Sequence, residues 1–258
     1  MTTFDVSVRQ SLWIPAPRSD EQTVGRLFCF PYAGGGASAY RSWHTAVGGE
    51  IAVCPLQLPG RERRVAEPAL TRLDSLVEEI TEALRPHLDQ PFAFYGHCLG
   101  ALVCFEVARK LRSSNDPAPT HIFVSAHRPP QLPIQRRLLH RLPDVEFLNE
   151  IIEFNGIPEW TLSSPELLEM ALPALRADFA MYETYDYTPQ EPLKVPVSVF
   201  GGLNDRCVTI EELAAWRGLT EESFELRLFP GNHFFPYDGS EGVPQALQRK
   251  FDEYGWRV

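Results

Sequence analysis

Six apolar runs of strand length alternate with segments of helical periodicity, and this alternation constrains the fold more than any other feature. The runs cover residues 26–30, 51–56, 92–95, 121–125, 195–200 and 224–229. Strands separated by helices pair in parallel, and the helices then cover the sheet. The sequence therefore predicts an α/β fold, with a mostly parallel sheet covered by helices on both faces.

Helical patterns fill most of the intervals between these runs. Apolar residues recur at helical spacing from Leu73 to Leu84, and Thr71 with Asp74 forms a possible capping box at the start. Residues 100–111 are apolar nearly all round, which predicts a buried helix. Two amphipathic helices are expected over 210–219 and 243–254.

Residues 129–187 interrupt the alternation. Their pattern is helical, with turn signals at 155–158 and 163–165. An insertion of this length is too long for a plain connection between strands, and long inserts are usually functional. We expect a core formed by residues 1–128 and 188–258 and a helical lid over 129–187; additional structural helices are the alternative.

The composition excludes several classes of function. The 258 residues carry a formal net charge of −10 at pH 7, which argues against broad binding of nucleic acid or anionic membranes. No apolar run approaches the ~20 residues that a membrane helix needs, and the first ten residues do not resemble a signal peptide. A cytoplasmic protein is expected, with neither nucleic acid nor membrane as a partner.

Five cysteines contain no Cys-x-x-Cys pair, so neither a disulfide framework nor a zinc motif is indicated. Cys29, Cys54, Cys104 and Cys207 lie in or beside apolar runs and are expected to act as small core residues. The histidines show no metal-ligand spacing, and no metal site is predicted.

Cys98 lies in a different setting, within Gly96-His97-Cys98-Leu99-Gly100 between a predicted strand and a predicted helix. This is the G-x-S-x-G nucleophile elbow with Cys in place of Ser. The sharp turn requires glycine on both sides and holds the nucleophile in a strained conformation. The sequence therefore predicts Cys98 as a nucleophile, whereas His97 is expected only to pack.

Two further residues follow strands in the order that this chemistry requires. Asp205 follows the run 195–200, and His233 follows the run 224–229. Active sites of open α/β sheets collect at the carboxyl ends of strands. We predict His233 as the general base and Asp205 as the residue that fixes its tautomer.

An oxyanion hole needs two backbone N–H groups directed at one point. We predict Leu99, which follows the nucleophile, and Ala33, in the glycine-rich loop after the first run. A phosphate-binding loop is the rival interpretation, but residues 34–36 lack both the G-x-G-x-x-G spacing and the P-loop Lys.

With these residues placed, the chain resembles an α/β-hydrolase, and more narrowly a type II thioesterase of polyketide and non-ribosomal peptide synthesis. The resemblance rests on five motifs. They are the elbow, Phe-Cys-Phe-Pro-Tyr-Ala-Gly-Gly at 28–35, Leu-Gln-Leu-Pro-Gly-Arg-Glu-Arg at 56–63, Leu-Pro-Ala-Leu-Arg-Ala-Asp at 172–178 and Gly-Asn-His-Phe-Phe at 231–235. It spans nearly the whole chain from about residue 26.

The resemblance implies an editing enzyme that removes misprimed or stalled acyl groups from the phosphopantetheine arm of acyl or peptidyl carrier proteins. It implies no tightly bound cofactor of the enzyme itself, and a monomer is expected. The family mostly carries Ser where this chain has Cys98, and the sequence leaves open whether the Cys is natural or introduced. A Cys acyl-enzyme is itself a thioester, so transfer to acceptors other than water is possible.

Two other functions stay open: a Cys-dependent hydrolase or acyltransferase acting on small esters or lactones, and an inactive module that binds carrier proteins. Carrier proteins are usually acidic, so docking needs a local basic patch. Arg136, Arg137 and Arg141 with His140 in the lid are candidates, as are Arg61, Arg63 and Arg64; ordinary surface arginines are the alternative.

Overall fold

The computed structural model describes residues 12–15, 23–48, 50–133, 138–153, 156–238 and 242–256. Six strands form one sheet in the order β2-β1-β3-β4-β5-β6, and all neighbouring pairs are parallel. The strands are β1 (Gly25–Phe30), β2 (Ile51–Pro55), β3 (Phe92–His97), β4 (His121–Ser125), β5 (Val197–Gly202) and β6 (Phe224–Phe229). All six predicted strands are confirmed, although β5 begins and ends two residues later than expected.

The helices of the described residues are mostly those that the sequence predicts. They are α1 (Trp43–Ala46), α2 (Leu73–Leu84), α3 (Leu99–Ser113), α4 (Asp144–Glu153), α5 (Glu159–Leu162), α6 (Pro165–Thr184), α7 (Ile210–Ala214) and α8 (Val243–Glu253). Short 3₁₀ turns cover Ala37–Tyr40, Glu62–Arg64, Arg85–His87, Leu139–Arg141, Ala215–Leu219 and Phe235–Tyr237. The single helix expected over 210–219 is therefore α7 followed by a 3₁₀ turn.

The predicted capping box at the start of α2 is wrong. Arg72 occupies the N-cap position and no side chain caps the helix. Asp74 instead forms an exposed ion pair with Arg72, at 2.6 Å. The helix is held by its apolar face, whose residues Leu76 and Ile80 are fully buried.

Helices cover both faces of the sheet, and alternate residues of each strand contact one face or the other. In β3, Phe92 and Phe94 pack in one cluster with residues of α2 and α3. Ala93 and Tyr95 pack in a second cluster with residues of α1 and α8. Side chains alternate along a strand, so burial of both faces explains why the strands read as continuous apolar runs.

The chain between β4 and β5 holds α4, α5 and α6 and a small apolar cluster of its own. The buried members of that cluster are Leu139, Phe147, Ile151, Ile157 and Leu175. Glu183 of α6 accepts hydrogen bonds from the backbone N–H groups of Leu139 and His140, at 2.7 and 3.1 Å. The helical insertion is thus tied together by α6, while its role as a lid stays a prediction. Within the described ranges, no helix is long and apolar enough to cross a membrane.

Candidate active site

The turn between β3 and α3 has the geometry that its glycines predict. Cys98 is the N-cap residue of α3 and has φ 51° and ψ −123°, a left-handed conformation that a non-glycine residue adopts only under strain. A Cβ atom on Gly96 would lie 2.1 Å from the Gly100 carbonyl oxygen, and one on Gly100 would lie 2.1 Å from that of Phe30. Both positions therefore require glycine, and the elbow presents Cys98 at the end of β3.

Two hydrogen bonds fix this turn to the neighbouring strand. The Cys98 N–H donates to the Ser125 carbonyl at 2.9 Å, and the Ser125 hydroxyl lies 3.0 Å from His97 Nδ1. His97 is fully buried, and burial lowers its pKa well below the usual value. Its ring contacts Tyr32 and His233, so it packs behind the site as predicted.

Asp205 and His233 are brought together by the loops that follow β5 and β6. The Leu203 N–H donates to the Phe229 carbonyl at 2.8 Å and the Asn204 N–H to that of Gly231 at 2.9 Å, which extends the pairing beyond the strands. Asp205 Oδ2 lies 2.9 Å from His233 Nδ1, and both side chains are almost fully buried. The carboxylate can therefore hold the imidazole in one tautomer.

His233 is electrostatically prepared to carry a proton. Burial by itself would lower its pKa, but the neighbouring Cys98 sulfur and hydrogen bonds with Asp205, Cys207 and Cys98 raise the pKa well above its usual value. The three residues predicted from three separate strand ends thus meet in one contact chain, Asp205 to His233 to Cys98. Such a chain can take a proton from the thiol while the carboxylate stabilises the imidazolium.

The two predicted oxyanion donors lie in the first turn of α3 and in the glycine-rich loop after β1. Leu99 is the first residue of α3, where backbone N–H groups have no partner within the helix. Ala33 is the second residue of a β-turn in which the Gly35 N–H donates to the Tyr32 carbonyl at 2.9 Å and Gly34 has φ 77°. In the described part of the chain, neither the Ala33 nor the Leu99 N–H donates to a protein acceptor.

Cys207 is a site residue that the sequence did not reveal. Cys29, Cys54 and Cys104 are buried core residues as expected, but Cys207 is partly exposed and its thiol hydrogen-bonds with His233. Burial raises the pKa of this thiol, against the hydrogen bond to His233, which lowers it. Its backbone N–H also donates to Asp205 Oδ1 at 2.7 Å. The apolar neighbours of Cys207 in sequence misled the prediction.

Asp205, Cys207 and His233 also form a group whose potential ligand atoms lie within 4.8 Å of one another. A metal ion could use the thiol and the imidazole. It would compete for the two Asp205 oxygens, which already accept from the Cys207 N–H and pair with His233. In the present structure, both Asp205 oxygens are therefore engaged by protein groups.

A buried ion pair lies behind the Ala33 turn. Arg61 and Asp178 form two hydrogen bonds, Nη1 to Oδ2 at 2.6 Å and Nη2 to Oδ1 at 2.9 Å. The suggestion that Arg61 and Arg64 belong to a docking patch is wrong, because each is only 6% exposed. Arg64 lies over the Trp13 ring and pairs with Glu67.

The predicted docking residues are placed only in part. Arg136 and Arg137 lie outside the described residues. Arg141 is exposed at the end of the 3₁₀ turn Leu139–Arg141, and Arg63 is also exposed. His140 is half-buried against Glu183. Docking through these arginines stays a prediction.

Comparison with known proteins identifies the family. The sequence matches the thioesterase domain family over residues 25–251. It is 46% identical over 213 residues to the gramicidin S biosynthesis protein GrsT of Aneurinibacillus migulanus, covering 83% of each chain.

Comparison with solved structures identifies the same family. RedJ, a thioesterase from the prodiginine pathway of Streptomyces coelicolor, superimposes with a TM-score of 0.82 at 35% identity, covering 98% of this chain and 97% of that one. The type II thioesterase BorB from the borrelidin biosynthetic cluster gives a TM-score of 0.84 at 33% identity, covering 94% and 97%. The chain therefore belongs to the thioesterase domain family of thioester hydrolases, with the α/β-hydrolase fold, among the type II thioesterases of non-ribosomal peptide and polyketide pathways.

Proposed function

We propose that this chain hydrolyses acyl groups from the phosphopantetheine arm of acyl or peptidyl carrier proteins and so removes misprimed or stalled chains. The observation that carries the proposal is the contact of the buried Asp205–His233 pair with the partly exposed Cys98 at the carboxyl ends of three strands. The proposal makes Cys98 the nucleophile in a cytoplasmic, monomeric enzyme, and phosphopantetheine belongs to the substrate.

The reaction begins when Cys98 gives its proton to His233 and its sulfur attacks the thioester carbonyl carbon. The new C–S bond makes a tetrahedral oxyanion, to which the N–H groups of Ala33 and Leu99 donate. The intermediate collapses, the bond to the pantetheine sulfur breaks, and His233 returns the proton to that sulfur. His233 then takes a proton from water, the water oxygen attacks the acyl carbon, the bond from that carbon to the Cys98 sulfur breaks, and His233 returns the proton to Cys98 as the acid leaves.

A cysteine nucleophile changes the relative energetics of acylation and deacylation. Transfer from pantetheine to Cys98 exchanges one thioester for another, so acylation is nearly balanced and reversible. Deacylation then commits the reaction. A Cys acyl-enzyme also stays activated toward an amine or alcohol acceptor, and this is the basis of the acyltransferase alternative.

A carrier-bound substrate is supported by relatives that are named for NRPS/PKS pathways, ClbQ from the colibactin pathway and YbtT from the yersiniabactin pathway. The net charge of −10 disfavours a second acidic protein, so docking requires a local positive surface. We propose that Arg141, with Arg136 and Arg137, supplies it on the insertion.

Intact-protein mass spectrometry of the chain mixed with an acetyl-loaded carrier protein tests the function. We expect the carrier to lose acetyl and the enzyme to end unmodified, whereas with the matched variant Cys98→Ala the carrier should keep its acetyl. Acetyl that accumulates on Cys98 would point to slow deacylation or a missing acceptor. Loss of acetyl from acetyl-N-acetylcysteamine but not from the carrier would favour the small-molecule hydrolase. Binding of the carrier without acylation would identify an inactive module.

A further inference from the structure

The buried pair of Arg61 and Asp178 connects three segments that are distant in sequence: the loop after β2, helix α6 and the turn that carries Ala33. Arg61 follows β2, and Asp178 lies 117 residues further on, in α6 of the insertion. Their exposed fractions are 6% and 1%. A pair this deeply buried gains little net stability, because desolvation of both charges offsets their attraction. Stability alone therefore does not account for the pair.

The pair's remaining hydrogen bonds go to the turn that carries Ala33. Asp178 Oδ2 accepts from the Gly34 N–H at 2.7 Å, and Arg61 Nη1 donates to the Gly35 carbonyl at 3.2 Å. The two charges thus hold successive backbone groups of one turn. The peptide planes that carry the Ala33 and Gly34 N–H groups meet at the Ala33 Cα atom, so fixing the second plane restricts the direction of the first.

Helix α6 also contacts this turn through an apolar side chain. A Cβ atom added to Gly34 would lie 3.1 Å from Leu175 Cδ1, and Leu175 is one turn before Asp178 on α6. Ala33 itself packs against the insertion's apolar cluster. The conformation of the turn therefore depends on the position of α6.

We propose that Arg61 and Asp178 are positioning residues that hold the Ala33 N–H in its oxyanion-binding orientation, and that they make this orientation depend on the seating of α6. The inference rests on the proposed function, in which Ala33 is an oxyanion donor. Displacement of α6 would withdraw Asp178 from both the Gly34 N–H and Arg61 and release the turn. The insertion would then control transition-state stabilisation as well as access.

The test compares two reactions of Cys98, of which one needs the oxyanion hole. Acylation by acetyl-N-acetylcysteamine passes through a tetrahedral oxyanion. Alkylation by iodoacetamide, a displacement at carbon, does not, and peptide mass spectrometry assigns it to Cys98. The main variant is Arg61→Met with Asp178→Leu, because an apolar pair of similar volume can replace a buried ion pair without loss of stability.

We expect this double variant to keep its thermal midpoint and its rate of Cys98 alkylation, while acylation slows by about 10²-fold, the typical cost of a misplacement of about 1 Å. The loss should appear in kcat, with KM little changed. Arg61→Lys keeps the charge but not the two-point bond to Asp178, and we expect an intermediate loss of acylation. This variant carries the test if the double variant fails to fold.

The matched control is Arg26→Met with Asp89→Asn, which removes an ion pair between the start of β1 and the loop before β3 whose side-chain hydrogen bonds reach neither the Ala33 turn nor α6. Acylation that slows equally in the control, or alkylation that slows together with acylation, would reduce the pair to a structural role. Normal acylation in the Arg61–Asp178 double variant, or in Arg61→Lys, would overturn the inference alone. A wild-type chain that is alkylated but never acylated would overturn the proposed function and the inference with it.

Discussion

His233 and His121 are equally buried, at 2% exposure each. His121 lies at the amino ends of the strands and His233 at the carboxyl ends, and their pKa values are shifted in opposite directions. His121 begins β4, where its Nδ1 lies 2.7 Å from the Tyr254 hydroxyl and its Nε2 lies 2.9 Å from the Ser198 hydroxyl. Burial, with a smaller effect of the Lys250 charge, lowers the pKa of His121 to about 3. At the carboxyl ends of the strands, the Cys98 sulfur and hydrogen bonds with Asp205 and Cys207 raise the pKa of His233 despite its burial.

The difference shows what converts a buried histidine into a base. Neutral hydroxyl partners satisfy the ring nitrogens of His121 but do not stabilise a positive charge, so the ring stays neutral. Position at the carboxyl edge is not sufficient either, because burial lowers the pKa of His127, just beyond β4, to about 4. The neighbouring Cys98 sulfur and a carboxylate at hydrogen-bond distance distinguish His233 from both.

Removal of each histidine in turn gives the largest expected contrast. His233→Ala should lower kcat/KM for an acyl thioester by about 10²–10⁴-fold, the usual contribution of acid–base catalysis. His121→Gln should leave kcat/KM unchanged, because its contacts lie at the amino ends of the strands. Turnover by both variants is measured with the same N-acetylcysteamine thioester. Near wild-type turnover of His233→Ala would show that His233 is not the general base. An equal loss of kcat/KM in His121→Gln would show that the two histidines do not differ in their contribution to turnover.

The second prediction, of intermediate size, compares how the unfolding free energies of wild type and His121→Gln depend on pH. The unfolded chain binds a proton on His121 near pH 6.5, whereas folded His121, with a pKa of about 3, does not. Its stabilising contribution is therefore complete above pH 6.5 and is lost as the pH falls toward 3. Between pH 7 and 5, wild type should lose about 1–2 kcal/mol more unfolding free energy than His121→Gln. Urea unfolding at both pH values checks this, and equal losses would show that His121 becomes protonated while folded.

The strands that carry the candidate active site, and the residues that follow them, could largely be predicted from the sequence. Each strand is a continuous apolar run because both faces of the sheet are covered, and the carboxyl ends of parallel strands meet at one edge. Asp205 and His233 each follow such a run within a few residues, so their meeting with Cys98 follows from topology. The glycines at 96 and 100 add a local steric signal that a single sequence displays.

Other contacts at the same edge could not be predicted, because they depend on how distant segments pack. Arg61 and Asp178 meet across 117 residues, and the sequence alone favours a surface position for Arg61 because charged side chains are rarely buried. The apolar neighbours Val208 and Ile210 likewise favour a core position for Cys207. The structure turns it instead toward His233. Neither contact has a local periodicity that would reveal it.

The smallest expected effect is a change in KM for the carrier protein, and it compares the surfaces at the carboxyl and the amino ends of the strands as docking sites. Arg141 is exposed on the insertion after β4, while Arg249 is exposed on α8, the helix that ends beside Tyr254 and His121. If an acidic carrier protein docks over the carboxyl edge, Arg141→Glu should raise KM for an acetyl-loaded carrier by about two- to fivefold, the size of one exposed ion pair. Added salt should weaken wild type more than this variant, because screening acts on the charge that the variant lacks. Arg249→Glu changes the net charge equally and should leave KM unchanged. Equal effects of the two substitutions would show that only net charge matters, and the docking proposal for this edge would then fail.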